Sequence, residues 1–156
     1  MSRESSMNEQ TLDQLQRAAF GYFLQAVNPA NGLVADTSRE NSPASIGVVG
    51  FALSAYPVAV ERGWMARADA VERSLSVLRF FRDSDQSGSP EATGFKGFYY
   101  HFLDMHTGAR VWRSELSMID TAATISRTAG ARPKCSASTR GATRTGSPGT
   151  AKIAGA

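Results

Sequence analysis

One cysteine, Cys135, leaves the chain no intramolecular disulfide. With only two histidines, His101 and His106, it also has no zinc-ligand set of the Cys/His kind. No run approaches the ~18 apolar residues that a membrane span needs. The polar start from Met1 to Gln10 lacks the basic-then-apolar pattern of a secretory leader, which implies a cytoplasmic place. A Gly-x-Ser-x-Gly elbow, a phosphate loop and a dinucleotide fingerprint are missing too, so no cofactor and no metal are expected. Aromatic residues are absent before Phe20 and after Trp112, and acidic residues are absent after Asp120.

These absences divide the chain. Up to residue 125 the formal charge is −3, and the last 31 residues carry +6, which together give the +3 of the whole. The basic balance is a property of the tail, and the folded part has no reason to seek nucleic acid or a membrane. Of the residues from Ser126 to Ala156, 21 are Gly, Ala, Ser or Thr. A segment with so little to bury cannot offset about 1–2 kcal/mol of backbone entropy per residue, and disorder is expected over 126–156. The break falls inside the first turns of a helix, as a change of translation frame would produce. A solvated tail and a basic nucleic-acid arm are the other readings.

The part from 9 to 125 is one domain, read as an all-α helical array with one aromatic hairpin. Leu12, Leu15, Ala19, Tyr22 or Phe23, and Ala26 recur at helical spacing over residues 9–27. Asn28-Pro29-Ala30-Asn31-Gly32 stops that helix. Ser42-Pro43 reads as an N-cap with proline at the first helical position. The run from Ile46 to Val60 is apolar on nearly every side, which predicts a helix buried all round. Gly47 and Gly50 in it permit close approach of a neighbour. Pro57 kinks it or marks its last turns, and Gly63 closes it. A third helix starts near Ala66 with Val71, Leu75, Leu78 and Phe81 on one face. Six of the 18 residues from Phe95 to Trp112 are aromatic, which favours extended structure. Asp104-Met105-His106-Thr107-Gly108 reads as a loop closed by glycine, and a fourth helix begins near Ser117.

Alternation along the hairpin sets Phe98, Tyr100 and Phe102 against Tyr99, His101 and Leu103, so one set can pack while the other faces a cleft. Aromatic rings with a polar handle suit sugars, which are apolar on their faces and polar at their edges. An all-core role for the same rings is the plain alternative. The candidate sugar contacts are Tyr99, Tyr100, His101 and Trp112, with Asp36 and Arg39 from the loop after the first helix. Glu115 and Asp120 are the candidate catalytic acids, because glycoside hydrolysis uses two carboxyl groups about one bond. On a single helix they would point about 140° apart, and they converge only if Glu115 lies in the turn before it. Ser117-Met118-Ile119-Asp120 also fits a capping box, a purely structural role.

Several stretches resemble the bacterial glycoamylase-like domain family, which includes endo-β-1,2-glucanases. They are Gly32-Leu33-Val34, Ser42-Pro43-Ala44-Ser45-Ile46, Glu61-Arg62-Gly63-Trp64, Leu78-Arg79-Phe80-Phe81, the hairpin from Gly97 to Asp104, Thr107-Gly108, and Ser117 to Ala122. The resemblance covers about residues 11–124, and the Glu-Arg-Gly-Trp turn and the hairpin are its specific parts. It implies an (α/α)6 barrel and a hydrolase acting on a glucan oligosaccharide or polysaccharide. In the acidic pattern D-L-V-E-T-A of the β-1,2-glucanase branch, Asp120 stands where the glutamate does and Ser117 where the aspartate does. Twelve helices of ordinary length require about 200 residues, and this chain offers three and the stub of a fourth. It therefore reads as an N-terminal fragment of a glycoside hydrolase, inactive alone. A non-catalytic carbohydrate-binding module and a helical protein-interaction module are the alternatives, and no protein partner is indicated.

Overall fold

The structure is a computed structural model that describes residues 3–129. Four helices, α1 (Arg3–Gln25), α2 (Ile46–Glu61), α3 (Arg67–Asp83) and α4 (Met118–Ala129), carry about half of the chain. Five short strands lie between them: β1 (Ala44–Ser45), β2 (Gly94–Phe95), β3 (Phe98–Tyr100), β4 (Phe102–Leu103) and β5 (Leu116–Ser117). They form two antiparallel sheets, β1–β4 and β2–β3–β5. The all-α expectation is thereby corrected to a helical array with two small sheets. Helix α4 runs four residues past the expected break at 125, and the rest of the expected disordered tail lies outside the described residues. No helix of the described residues is long and apolar enough to cross a membrane.

Helix α2 is the centre of the core. Ile46, Val49, Ala52, Tyr56 and Ala59 are fully buried along it. The expectation that it is buried all round is corrected, because Phe51 (63% exposed) and Val58 (51%) face out. With Phe20, Phe23 and Trp64 they line an apolar groove between α1 and α2. The other amphipathic faces are narrower than their sequence suggests. Leu12 and Leu15 of α1 are exposed and packing begins at Phe20; Val71, Leu75 and Leu78 of α3 are exposed, while Ala70, Val77 and Phe81 form its buried stripe.

Ser42-Pro43 does not begin α2. Ala44 and Ser45 are extended because they pair with Leu103 and Phe102, and the helix starts at Ile46, whose N–H donates to the His101 carbonyl at 3.1 Å. Ser42 Oγ instead accepts the Thr37 N–H. The other end of α2 explains Glu61-Arg62-Gly63-Trp64. Gly63 takes φ 69°; its N–H reaches the Val60 carbonyl and the Trp64 N–H reaches Ala59. This is a Schellman closure, which requires the left-handed conformation that glycine adopts without cost. Pro57 sits inside the last turns of the helix, as expected.

The two glycines of α2 face α4. A β-carbon on Gly47 would lie 2.9 Å from Asp120 Oδ1, and one on Gly50 would lie 3.1 Å from Thr124 Oγ1. Thr124 Oγ1 donates to the Ile46 carbonyl at 2.9 Å. Close approach at these two positions sets the start of α4, and so the first acidic residue on it, against the start of α2.

Candidate active site

His101 is where the two sheets meet. It lies between β3, which pairs with β2 and β5, and β4, which pairs with β1. This change of partner breaks the alternation expected from Phe98 to Leu103: Phe98 is exposed while Tyr99, Tyr100 and Leu103 are all buried. Tyr99 packs on Phe81 at 4.5 Å between ring centroids, and its hydroxyl donates to the Phe81 carbonyl. Tyr100 lies under the Arg110 guanidinium. The alternation would turn one of Tyr99 and Tyr100 toward a cleft; instead both candidate sugar contacts are buried and pack in the core.

The two candidate acids converge on one imidazole. Glu115 stands just before β5, outside helix α4, and its Oε1 is 2.9 Å from His101 Nδ1. Asp120 Oδ2 is 3.6 Å from His101 Nε2. A doubly protonated ring would present an N–H to each carboxylate. Since the ring stands between them, they do not flank a common empty space. Their environments differ as well: the Glu115 side chain is 71% exposed and that of Asp120 27%. The hydrogen bond from His101 holds the Glu115 carboxyl below its ordinary range, with the Arg110 charge adding to the effect.

Asp120 is fixed by the start of its own helix. Ser117 Oγ donates to Asp120 Oδ2 at 2.7 Å, and the Asp120 N–H donates back to Ser117 Oγ at 3.3 Å. The N-cap half of the S-x-x-D pattern is therefore realised, while the carboxylate accepts the Ser117 hydroxyl; Asp120 lies in the first turn, where the helix dipole favours a carboxylate. The cap and the site are the same residues. Among the described residues no three acidic, histidine or cysteine groups are disposed to hold a metal ion.

An aromatic ladder leads away from His101. Its ring stacks on Phe102 at 4.2 Å and 7° between planes, and Phe102 meets Trp112 edge-on at 5.3 Å. Trp112 is 73% exposed and stands at the rim of an open groove of about 550 Å³, lined also by Arg39, Asn41, Asp104 and His106. Of the expected sugar contacts, Arg39 and Trp112 thus share a groove to which the ladder joins His101. Asp36 is not among its lining residues; it lies near Tyr22, whose hydroxyl donates to the Ala35 carbonyl. Burial raises the Tyr22 phenol, and the Asp36 charge adds to this.

The floor of the groove is built by loop chemistry. Asp104 Oδ1 accepts the N–H groups of His106 and Thr107 and the Thr107 hydroxyl, and these bonds hold its carboxyl below the ordinary range. Asn28 and Asn31 donate to the Met105 carbonyl and tie this loop to the turn after α1. The Trp112 turn is strained. Trp112 and Arg113 have φ 55° and 52°, and the Ser114 N–H closes the turn onto the Val111 carbonyl at 3.0 Å. That pattern of two positive φ angles belongs to type I′ turns, where Asn-Gly is the usual choice. Non-glycine residues held there cost on the order of 1–3 kcal/mol each.

No family profile matches the chain. The exo-β-1,2-glucooligosaccharide sophorohydrolase (non-reducing end) of Parabacteroides distasonis is 33% identical over 109 residues, which is 67% of this chain and 14% of that protein. Among solved structures, the β-1,2-glucanase of Parabacteroides distasonis superposes with a TM-score of 0.64 and 26% identity, over 76% of this chain and 17% of that one. The endo-β-1,2-glucanase of Chitinophaga pinensis, solved with sophorotriose and glucose, gives a TM-score of 0.63 at 21% identity, over 76% and 29%. A glucoamylase-like protein of Bacteroides uniformis gives 0.62 at 24%, over 74% and 28%. The chain thus spans about one seventh of the curated relative and under a third of each of these structures. The resemblance to the glycoamylase-like family that the motifs carry is thereby shown, for a chain that covers a fragment of its longer relatives.

Proposed function

We propose that the chain is the part of a glucan-acting glycoside hydrolase that carries Asp120, Glu115 and His101, and that its helices are the opening portion of an (α/α)6 barrel. Its substrate class is the β-1,2-linked glucooligosaccharide, as in the names of the relatives. The observation that carries this reading is the convergence of Glu115 and Asp120 on the two nitrogens of His101.

The roles follow from the environments. Asp120, half-buried and fed by the Ser117 hydroxyl at a helix start, suits a base toward water or a stabiliser of a developing positive charge. Glu115, exposed and hydrogen-bonded to Nδ1, orients His101 rather than attacking substrate. Trp112 and Arg39 supply a ring face and a charge for sugars beyond the cleavage point. Hydrolysis needs a second carboxyl group from outside this segment, so the chain alone binds glucan without turning it over.

Calorimetric titration with sophorotriose, beside a reducing-sugar assay, tests this. Binding without product release is expected, and Trp112→Ala should abolish the binding. A chain that binds neither sophorotriose nor longer β-1,2-glucan, while folded, would overturn the reading. The apolar groove of Phe20, Phe51 and Val58 would then favour the protein-interaction module instead.

A further inference from the structure

Arg110 belongs to no motif noted in the sequence, yet it holds together the rim of the groove. Its Nε donates to the Ser114 carbonyl at 2.6 Å and its second guanidinium nitrogen donates to the Arg113 carbonyl at 2.7 Å. The planar group lies 4.1 Å from the centroid of the buried Tyr100 ring. Its backbone bridges to Leu103. One side chain thus braces both carbonyls on the far side of the turn at 112–113, and a core ring backs it.

The turn it braces is one that Trp112 and Arg113 would not adopt by preference, since both take positive φ. A β-branched or aromatic residue there is normally avoided, and a hairpin needing this turn would carry Asn-Gly. The consequence of the strain is an indole held out at 73% exposure, edge-on to Phe102 and at the groove rim. An exposed tryptophan on a relaxed loop would have to be ordered by its ligand, which costs affinity; a pre-set one does not.

From this arrangement we infer that Arg110 is a positioning residue for sugar recognition: by clamping the 113 and 114 carbonyls it fixes Trp112 as the stacking platform for a glucose ring at the groove rim. The inference rests on the proposed glucan-binding reading and adds to it the residue that sets the platform. Lysine cannot replace it, because a point charge has no rigid fork for two carbonyls.

The test uses the full chain with Trp64→Phe, so that Trp112 is the sole tryptophan. Sophorotriose affinity and Trp112 fluorescence anisotropy are measured together. Arg110→Gln and Arg110→Lys should each weaken sophorotriose about tenfold, the size expected when one side chain must be ordered on binding, and both should lower the anisotropy. Adding Arg113→Gly to Arg110→Gln gives the turn a residue that favours positive φ and should restore affinity to within about threefold of the parent. A merely structural role would not respond to that rescue. Full affinity in Arg110→Lys, or no recovery with Arg113→Gly while the chain stays folded, overturns the inference. If Trp112→Ala abolishes binding but Arg110→Gln leaves it intact, the inference alone fails. If the parent binds no sugar at all, the carbohydrate reading fails and the inference with it.

Discussion

His101 and Glu115 are joined twice: the His101 backbone N–H donates to the Glu115 carbonyl at 2.9 Å, and the side chains meet at 2.9 Å between Nδ1 and Oε1. The backbone bond fixes the register that makes the side-chain bond possible, so the ring is oriented by main chain and carboxylate together. Because the Glu115 carboxyl is held below its ordinary range, the pair contributes stability above the usual carboxylate pKa and loses it as pH falls through the lowered value. Urea midpoints measured from neutral to acid pH should show Glu115→Gln converging with the parent at the acid end. A gap that stays constant with pH would contradict the linkage.

Gly47→Ala should leave stability nearly unchanged and move Asp120. Alanine favours the helix interior by about 1 kcal/mol over glycine, but its β-carbon would lie 2.9 Å from Asp120 Oδ1. The carboxylate must give way and strain its bond from Ser117. Unchanged thermal stability with weakened sophorotriose binding is the expected pair of results. Loss of stability by more than about 3 kcal/mol would mean that α4 itself cannot shift.

Gly94→Ala acts on the hairpin. A β-carbon there would overlap the Phe98 carbonyl, on the strand that pairs with Gly94 through Tyr99. Backbone cannot yield as a side-chain tip does, so a loss of about 1–3 kcal/mol or more is expected in chemical denaturation.

The apolar groove between α1 and α2 should make the chain self-associate. Phe51 and Val58 face out of a helix whose other side is the core, and contiguous apolar surface of this kind promotes association. Phe51→Gln with Val58→Gln should shift light scattering toward the monomer and cost under about 0.5 kcal/mol, as for other surface changes. Unchanged association would place the sticky surface elsewhere.

What the sequence disclosed was mainly local. Gly47 and Gly50 announce a close neighbour, Gly63 a closure, and Ser117 with Asp120 a cap, because each rests on backbone chemistry within a few residues. Ser42-Pro43 misplaces the start of α2 because Ala44–Ser45 is claimed by β4, nearly 60 residues away, and no local signal competes with that pairing. The exposure of Leu12 and Val71 has the same kind of cause: helical spacing marks a face, but the packing partner decides which part of it is buried. At the site, the two acids were legible as residue types and the condition for their meeting could be stated. The imidazole between them was not, since the only carboxylate within nine residues of His101 is Asp104. Arg110 gives no signal in the sequence, because its partners are two backbone carbonyls and the face of a ring ten residues away.

Ser117→Ala and Asp120→Asn separate the capping role from the chemical one. Ser117 accepts the Asp120 N–H and donates to Oδ2, so alanine there removes the cap and should cost about 0.5–2 kcal/mol. Asparagine at 120 keeps the shape and an oxygen to accept from Ser117, so its stability cost should be smaller. The order reverses for chemistry. If residues 11–124 replace the matching segment of the Parabacteroides distasonis β-1,2-glucanase, Asp120→Asn should lower glucan hydrolysis by about 10²–10⁴-fold, the range for general acid–base groups. Ser117→Ala should lower it far less, since the carboxylate and the 3.6 Å approach to His101 survive. Both variants are measured for urea midpoint and for rate per folded molecule. If Asp120→Asn retains its rate while Glu115→Gln loses it, the base is Glu115 and Asp120 is only a cap.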